Sequence, residues 1–208
     1  ALREGVELGI ALGGDMVEAL SRWFGWVFWH EAEHELSGKG RLARVESPPG
    51  RITEPKHKGI WVTTRSHTAL GAAVLRIIEE SRRELIVSSY GFDLDHAVVA
   101  RLIDKAKQGR KVTVYTRPRP AVAKAVAEMS AAGVRVFAHD KLHAKALLSE
   151  REGIILTANL KAHKLDQGFE VGVQLSQTAM ADLRTTFEQW QDQFPWQFAD
   201  AATRGEHL

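Results

Sequence analysis

"DKLHAKALLSEREGIILTANLKAHKLDQGFEVGV", residues 140–173, sets a histidine, a lysine, an asparagine and a glutamate among residues typical of buried strands. In "LHAKALLSE" the two-residue period of a strand puts His143 and Lys145 on one face and alanines on the other. A lysine in so apolar a strand is costly unless an anion meets it. The stretch therefore predicts a site for an anionic ligand.

The two strands that follow supply further polar groups. Thr157 and Asn159 come at the C-terminal end of the next predicted strand, and Glu170 opens the one after it. If these strands lie side by side, an imidazole, an ammonium, an amide and a carboxylate converge at one end of the sheet. This convergence makes His143, Lys145, Asn159 and Glu170 the candidate catalytic residues.

The surrounding sequence alternates between strands and helices from Gly59 onward. Helices are predicted over 67–83, 94–109, 122–132 and 180–193, and strands over 59–64, 84–90, 111–116, 134–139, 143–149, 153–158 and 169–175. Strands bridged by helices indicate a parallel core, and four late strands joined by short links indicate antiparallel pairing. The predicted fold class is α/β, a mixed sheet flanked by helices on both faces.

The first third of the chain has a different texture. Residues 16–36 hold three of the six tryptophans and predict one amphipathic helix, followed by a short strand over 41–46 and a turn at 47–50. We therefore divide the chain into an N-terminal helical extension of unknown role, 1–58, and a catalytic domain, 59–208. Core packing, an oligomer surface and a membrane-interface face all remain open for the aromatic side of the helix.

Composition excludes several classes of protein. The absence of cysteine among the 208 residues rules out disulfides, thiolate nucleophiles and cysteine-based zinc sites. No apolar run approaches the roughly 18 residues that a membrane span needs, and the opening "ALREGVELGI" lacks a signal-peptide pattern. We expect a cytoplasmic protein without stable membrane insertion. A net charge of +2 permits a nucleic-acid partner.

The motif residues resemble those of the phospholipase D superfamily, whose signature is His-x-Lys, an acidic residue, and a small-residue pair followed by Asn. The match covers His143, Lys145, Asn159 and the downstream Glu170, and the element order is similar from about residue 65 to 194. Two positions differ. Glu150 stands where the family usually has Asp, and Leu156-Thr157 replaces Gly-Ser.

The resemblance implies a mechanism that needs neither metal nor cofactor. A neutral His143 attacks the phosphorus of a phosphodiester, Lys145 and Asn159 hold the non-bridging oxygens, and a second histidine protonates the leaving oxygen. Glu170, bonded to the far imidazole nitrogen, is expected to fix the tautomer. Because the chain carries one motif, we expect a homodimer that brings His143 of both chains into one site.

The implied activity is that of a metal-independent endonuclease, since short single-motif chains resemble the nuclease branch of the family. DNA is favoured over RNA as the partner. A phospholipid or cardiolipin phosphodiesterase is the alternative with the same chemistry. A nucleic-acid-binding module that has lost turnover is the alternative from another class.

Substrate-binding candidates surround the motif. They are Thr157, Arg117 and Arg119 in "TRPRP", Lys161 and Lys164 in "NLKAHKL", and Tyr90 or Phe92 in "SSYGF". The arginines could equally form a stiff solvated turn, and either aromatic residue could equally belong to the core.

"HEAEH", residues 30–34, is a rival signal. It satisfies the helical zinc motif, with His30 and His34 as ligands and Glu31 as the general base of a protease. The third ligand is missing from the pattern, because Glu54 lies in a Pro-flanked loop. The alternative is a solvated helix end.

Overall fold

The structure is a computed structural model that describes residues 5–36, 38, 40–45, 50 and 52–198. Two compact units divide the chain. The smaller is Ile10–Ile60, and the described part of the larger comprises residues 5–9 and 61–198. The five residues at the start of the described chain therefore belong to the same unit as the sheet.

The smaller unit contains α1 (Asp15–Glu31) and a hairpin of β1 (His34–Leu36) and β2 (Leu42–Arg44). The prediction of one helix through Leu36 is wrong. Helical bonding ends where the Ala32 N–H donates to the Phe28 carbonyl, and Ala32 itself is extended. Pairing with β2 satisfies the backbone of residues 34–36 instead, which no local pattern signals. The predicted turn at 47–50 lies largely outside the described residues.

The aromatic residues of α1 divide between core and surface. Trp23 and Trp26 are buried and meet edge to face, with ring centroids 5.6 Å apart, whereas Phe24 is 76% exposed. Part of the aromatic face is thus core packing. Across the described residues, no helix combines the length and the apolar character that a membrane crossing demands.

The larger unit is built on one eight-stranded sheet. Its elements in chain order are β3 (Ile60–Thr63), α2 (Ala69–Glu80), β4 (Glu84–Ser88), α3 (Ala97–Lys107), β5 (Lys111–Thr116), α4 (Pro120–Ala131), β6 (Arg135–Ala138), β7 (Ala146–Ser149), β8 (Gly153–Leu156), α5 (Ala162–Leu165), β9 (Glu170–Gln174), α6 (Gln177–Gln193) and β10 (Trp196–Phe198). The strand order across the sheet is β10-β6-β5-β4-β7-β8-β9-β3.

The topology confirms the predicted mixed α/β class. Strands β4, β5 and β6 pair in parallel through helical crossovers, and β7, β8 and β9 pair antiparallel. One detail of the prediction is wrong: β6 does not pair with β7 but lies between β5 and β10. β10 has no counterpart among the predicted strands, and it forms because the outer side of β6 offers unpaired backbone groups.

Alternation along the central strands explains why both faces of the sheet are covered. In β5, Val112 and Val114 join the apolar core that α2, α3 and α4 share. Tyr115 stacks on Phe187 of α6, with ring centroids 5.3 Å apart, and donates its hydroxyl to the Phe187 carbonyl. Burial raises the pKa of Tyr115 to about 12. The sheet therefore has a helix layer on each face.

The antiparallel entry of β7 positions the site. Ala146 of β7 pairs with Ser88 of β4, so the residues just before β7 lie beside the carboxyl end of β4. Regular pairing starts at Ala146 and not at His143 as predicted, although the Lys145 carbonyl still accepts the Leu156 N–H at 3.2 Å. Ligands of α/β proteins bind at this edge of the sheet.

Candidate active site

His143 is held between an acidic residue and an aromatic ring. Its Nδ1 lies 3.0 and 3.2 Å from the two carboxylate oxygens of Glu7. Its ring stacks on Tyr90 at a centroid distance of 5.2 Å and an angle of 22°. With its side chain 47% exposed, His143 stays accessible to a ligand.

Lys145 is the buried cation of the site. It is 9% exposed, and its ammonium donates to the His143 carbonyl at 2.6 Å and contacts Nε2 of the same residue at 3.2 Å. Burial lowers the pKa of Lys145. The negative charges of Glu7 and Glu170 oppose this shift, and the positive charge of Arg117 adds to it. A further anion beside the ammonium would offset the cost of its burial.

Tyr90 gathers three cations around its ring. The Lys145 ammonium lies 5.0 Å from the ring centroid, and the Arg117 and Arg119 guanidinium carbons each lie 5.2 Å from it. Cation–π attraction holds such groups near an aromatic face. The structure thus brings Arg117, Arg119 and Lys145 to the ring of Tyr90, which itself stacks on His143.

Asn159 lies at the same edge of the sheet. It is 6% exposed, and within the described part of the chain its Oδ1 has no hydrogen-bond partner. The next residue, Leu160, donates its N–H to the Ser89 hydroxyl at 3.1 Å, which anchors this segment beside Tyr90. An unpartnered buried amide oxygen costs free energy in the absence of a ligand. Asn159 Oδ1 therefore lacks the hydrogen-bond donor that its burial calls for.

The expected role of Glu170 needs a correction. Its carboxylate accepts the Thr157 hydroxyl at 2.5 Å and lies 3.3 Å from the Lys164 ammonium. The carboxylate bonded to Nδ1 of His143 is that of Glu7. The place of Glu170 in the motif predicts a contact with His143, but the pairing of β8 with β9 brings it beside Thr157 instead. It still influences the site, because its charge acts on the pKa of Lys145.

The remaining predicted substrate-binding residues have carboxylate partners. The Lys161 ammonium lies 3.7 Å from Asp93, and Lys164 pairs with Glu170. Lys161 runs across Gly91, where an added Cβ would stand 2.6 Å from its Cε. Neither lysine contacts His143 directly, so they remain predictions for the rim. Phe92 is fully buried and belongs to the core.

Glu150, the first departure from the family motif, has a structural role. Its carboxylate accepts the backbone N–H of Arg82 at 2.8 Å, with longer contacts to the N–H groups of Arg83 and Glu84. Burial alone raises the pKa of Glu150, but these backbone hydrogen bonds outweigh it and the net shift is downward. Glu150 therefore ties the β7–β8 turn to the start of β4, at the opposite end of that strand from His143.

The zinc-protease alternative fails on geometry. His30 is the penultimate residue of α1 and His34 begins β1, so the two imidazoles do not share a helical face. His30 stacks on Trp26 at 4.4 Å and its Nδ1 bonds to the Trp26 carbonyl. Among the residues that the structure describes, no cluster of three acidic, histidine or cysteine side chains could hold a metal ion.

Sequence comparison places the chain in a family. A family model described as "Cardiolipin synthase, PLD-like domain" matches residues 74–191, which is more than half of the chain. The chain belongs to the phospholipase D-like family. The match includes His143, Lys145, Asn159 and Glu170 and ends inside α6. A search of curated proteins found no match.

Solved structures share the fold. Nuc, a phospholipase D family member from Salmonella typhimurium, superposes with a TM-score of 0.58 and 16% identity over 68% of this chain and 98% of its own. The archaeal chromatin protein TrmBL2 gives 0.50 and 16% over 65% of this chain and 53% of its own. Phosphatidylserine synthase from Haemophilus influenzae gives 0.54 and 11% over 96% of this chain and 50% of its own.

Within the described parts of the chain, Glu7 is the residue of the site that the sequence analysis missed. It precedes His143 by 136 positions and belongs to no motif. The only signal is a carboxylate in the short segment "GVELG", residues 5–9, and that pattern is too common to indicate a site. Contacts between residues so distant in sequence follow from the tertiary structure.

Proposed function

We propose that the protein is a phosphodiesterase that cleaves nucleic acid through a covalent phosphohistidine on His143. One observation carries the proposal: the imidazole and the Lys145 ammonium lie 3.2 Å apart at the carboxyl edge of β4. A nucleophile beside a buried cation is suited to attack on a phosphorus whose oxygens the cation holds.

The reaction divides into two balanced displacements. In the first, Nε2 of His143 forms a bond to phosphorus, the bond to the leaving oxygen breaks, and a proton donor on the opposite side protonates that oxygen. In the second, the same donor, now a base, takes a proton from water, the water oxygen attacks phosphorus, and the P–N bond breaks. The imidazole is regenerated and one phosphodiester bond has been hydrolysed.

Cationic side chains supply the charge that this chemistry requires. Lys145, Arg117 and Arg119 together provide three positive charges around Tyr90. The Nδ2 amide group of Asn159 is a hydrogen-bond donor that can bind a non-bridging oxygen. A pentacovalent phosphorane-like transition state carries more charge on its oxygens than the ground state does, so these groups stabilise it selectively. No step calls for a metal ion.

Several features favour nucleic acid over a phospholipid as the substrate. Arg117 and Arg119 add positive charge next to Lys145, which holds the reacting phosphate. Nucleic acid carries further phosphates beside the one that reacts, and these two arginines could bind them. The chain is mildly basic overall, with a pI near 8.9. TrmBL2, which shares the fold, is a chromatin protein that binds DNA. DNA is accordingly the preferred substrate.

The mechanism also requires a second histidine, and we assign it to a second copy of the chain. His139 bonds to the Lys141 N–H and lies 3.1 Å from Asp140, and His96 caps α3. None of these contacts involves Tyr90 or His143. A two-fold axis that brings the His143 residues of two chains together supplies nucleophile and acid from one motif.

A panel of substrates tests the proposal. Labelled single-stranded DNA, duplex DNA, RNA and phosphatidylcholine vesicles are each incubated with the protein in EDTA. We expect cleavage of DNA that disappears in His143→Asn and persists in Glu128→Gln, an exposed substitution on α4. Cleavage of the lipid alone would favour the phospholipid alternative. Binding of DNA without cleavage under any condition would favour the binding module.

A further inference from the structure

The segment that precedes the helical unit is tied to the candidate active site. The Val6 N–H donates to the Lys141 carbonyl at 3.0 Å, and the Val6 carbonyl accepts the N–H groups of His143 and Ala144 at 2.9 and 3.0 Å. Val6 thereby forms a parallel bridge with Leu142. These bonds fix the backbone next to Glu7, so the position of its carboxylate is set by the sheet edge and not by a free tail.

The two neighbours of the His143 ring dictate one neutral tautomer. An ionised carboxylate can only accept, so Nδ1 must carry the proton that is donated to Glu7. An ammonium can only donate, so Nε2 must present its lone pair to Lys145. We infer that Glu7 is the positioning residue of the reaction, which holds His143 as the Nδ1–H tautomer. The lone pair then stays on Nε2, which attacks phosphorus once the Lys145 ammonium bonds to the phosphate oxygens instead.

A second effect follows from the charge of Glu7. When Nε2 bonds to phosphorus, the imidazole ring acquires positive charge, and a carboxylate 3.0 Å from Nδ1 stabilises that charge. Glu7 also favours the charged form of Lys145, being the largest influence that opposes the effect of burial on its pKa. One carboxylate from outside the family motif thus supports both the nucleophile and the phosphate-binding cation. The expected effect of Glu7 on catalysis rests on the proposed function. The expected tautomer of His143 rests only on the distances to Glu7 and Lys145.

Three substitutions separate position, charge and length at residue 7. In Glu7→Ala the Nδ1–H loses its acceptor and only Lys145 still disfavours a proton on Nε2, so part of the His143 population should shift toward the Nε2–H tautomer, the form that predominates for a free imidazole. In Glu7→Gln the amide oxygen still accepts from Nδ1, so the tautomer should persist while the negative charge is lost. In Glu7→Asp both functions should return in part.

Nitrogen-15 NMR of the full chain reads the tautomer directly. The His143 ring signals are assigned by their loss in His143→Gln, and circular dichroism confirms that each variant is folded. Wild type and Glu170→Gln should both show Nδ1–H, because Glu170 bonds to Thr157 and Lys164 and not to His143. A wild-type Nε2–H signal, or a Glu7→Ala spectrum identical to wild type, would overturn the assignment.

Kinetics on a cleaved oligonucleotide provide the second readout. We expect Glu7→Gln and Glu7→Ala to lower kcat by about 10- to 100-fold, as carboxylates that orient histidines typically do, with KM changed by less than about twofold. Glu7→Asp should recover part of kcat, and Glu128→Gln should match wild type. A rise in KM at constant kcat would contradict a positioning role. If the protein cleaves no phosphodiester, the proposed function fails, and the NMR result still decides the role of Glu7.

Discussion

Lys145 combines a cost to folding with a role in ligand binding. Its ammonium is buried and its charge is balanced only partly by Glu7 and Glu170, so burial dominates and lowers its pKa. A phosphate group that enters the cleft would complete the charge balance. The buried ammonium of Lys145 therefore lowers the stability of the unliganded protein and at the same time makes the site selective for an anion.

We predict that Lys145→Met stabilises the fold while it lowers kcat/KM by about 1000-fold or more. Folding disfavours the charged lysine because its pKa is lowered in the folded state. The gain should therefore be complete below that folded pKa and vanish above the ordinary lysine value of about 10.4. Urea unfolding between pH 7 and 10.5 measures this gain in the free energy of unfolding. Lys124→Met, at an exposed lysine, is the control. A lower urea midpoint for Lys145→Met at pH 7 would show that the ammonium stabilises the fold.

Among the secondary-structure elements, those with strong local periodicity were predictable from the sequence. β5, Lys111–Thr116, matches its predicted bounds because apolar and polar residues alternate between two turns. α2 is shorter than predicted at both ends, but its apolar repeat identified it correctly. The end of α1 and the existence of β10 were missed, since both depend on pairing with residues that the local pattern does not reveal.

The candidate site divides in the same way. His143, Lys145 and Asn159 could be predicted because their order along the chain matches a family motif and the sheet brings strand ends together. The partner of His143 could not, because the motif says nothing about residue 7. The clustering of Arg117 and Arg119 around Tyr90 follows only from the packing of two strand ends.

At the scale of strands and turns, Glu150 is predicted to connect the β7–β8 turn to β4 in a pH-dependent way. Glu150→Gln should lower the free energy of unfolding at pH 7 by about 1 kcal/mol, because the hydrogen bonds from the backbone N–H groups lose the negative charge of their acceptor. The pKa of Glu150 is lowered in the folded state. Its contribution is therefore present above the unfolded value of about 4.3 and is lost as the pH falls through the folded pKa.

Urea titrations of wild type and Glu150→Gln at pH 7 and pH 3 measure this effect. The difference between the two proteins in free energy of unfolding should be largest at pH 7 and smaller at pH 3, while Glu128→Gln should match wild type at pH 7. An equal difference at both pH values would mean that Glu150 acts through packing and not through its charge.

For the whole molecule, the prediction is an active homodimer. When wild type and His143→Ala chains are co-expressed equally and pair at random, only about a quarter of the dimers keep both histidines. Specific activity should then fall to about a quarter of the wild-type value, and light scattering should give twice the mass of one chain. If the co-expressed mixture kept half of the wild-type activity, each site would be built from one chain. Full wild-type activity at the mass of a monomer would have the same meaning.

The covalent phosphohistidine is the most direct test of the proposed reaction. An internally ³²P-labelled DNA oligonucleotide is mixed with the protein in EDTA, quenched in alkaline denaturant within one turnover, and digested for mapping. We expect label on the peptide that carries His143, stable in alkali, released by acid, and absent from His143→Asn. Label on another residue, or cleavage that proceeds at the wild-type rate in His143→Asn, would contradict the assignment of His143 as the nucleophile.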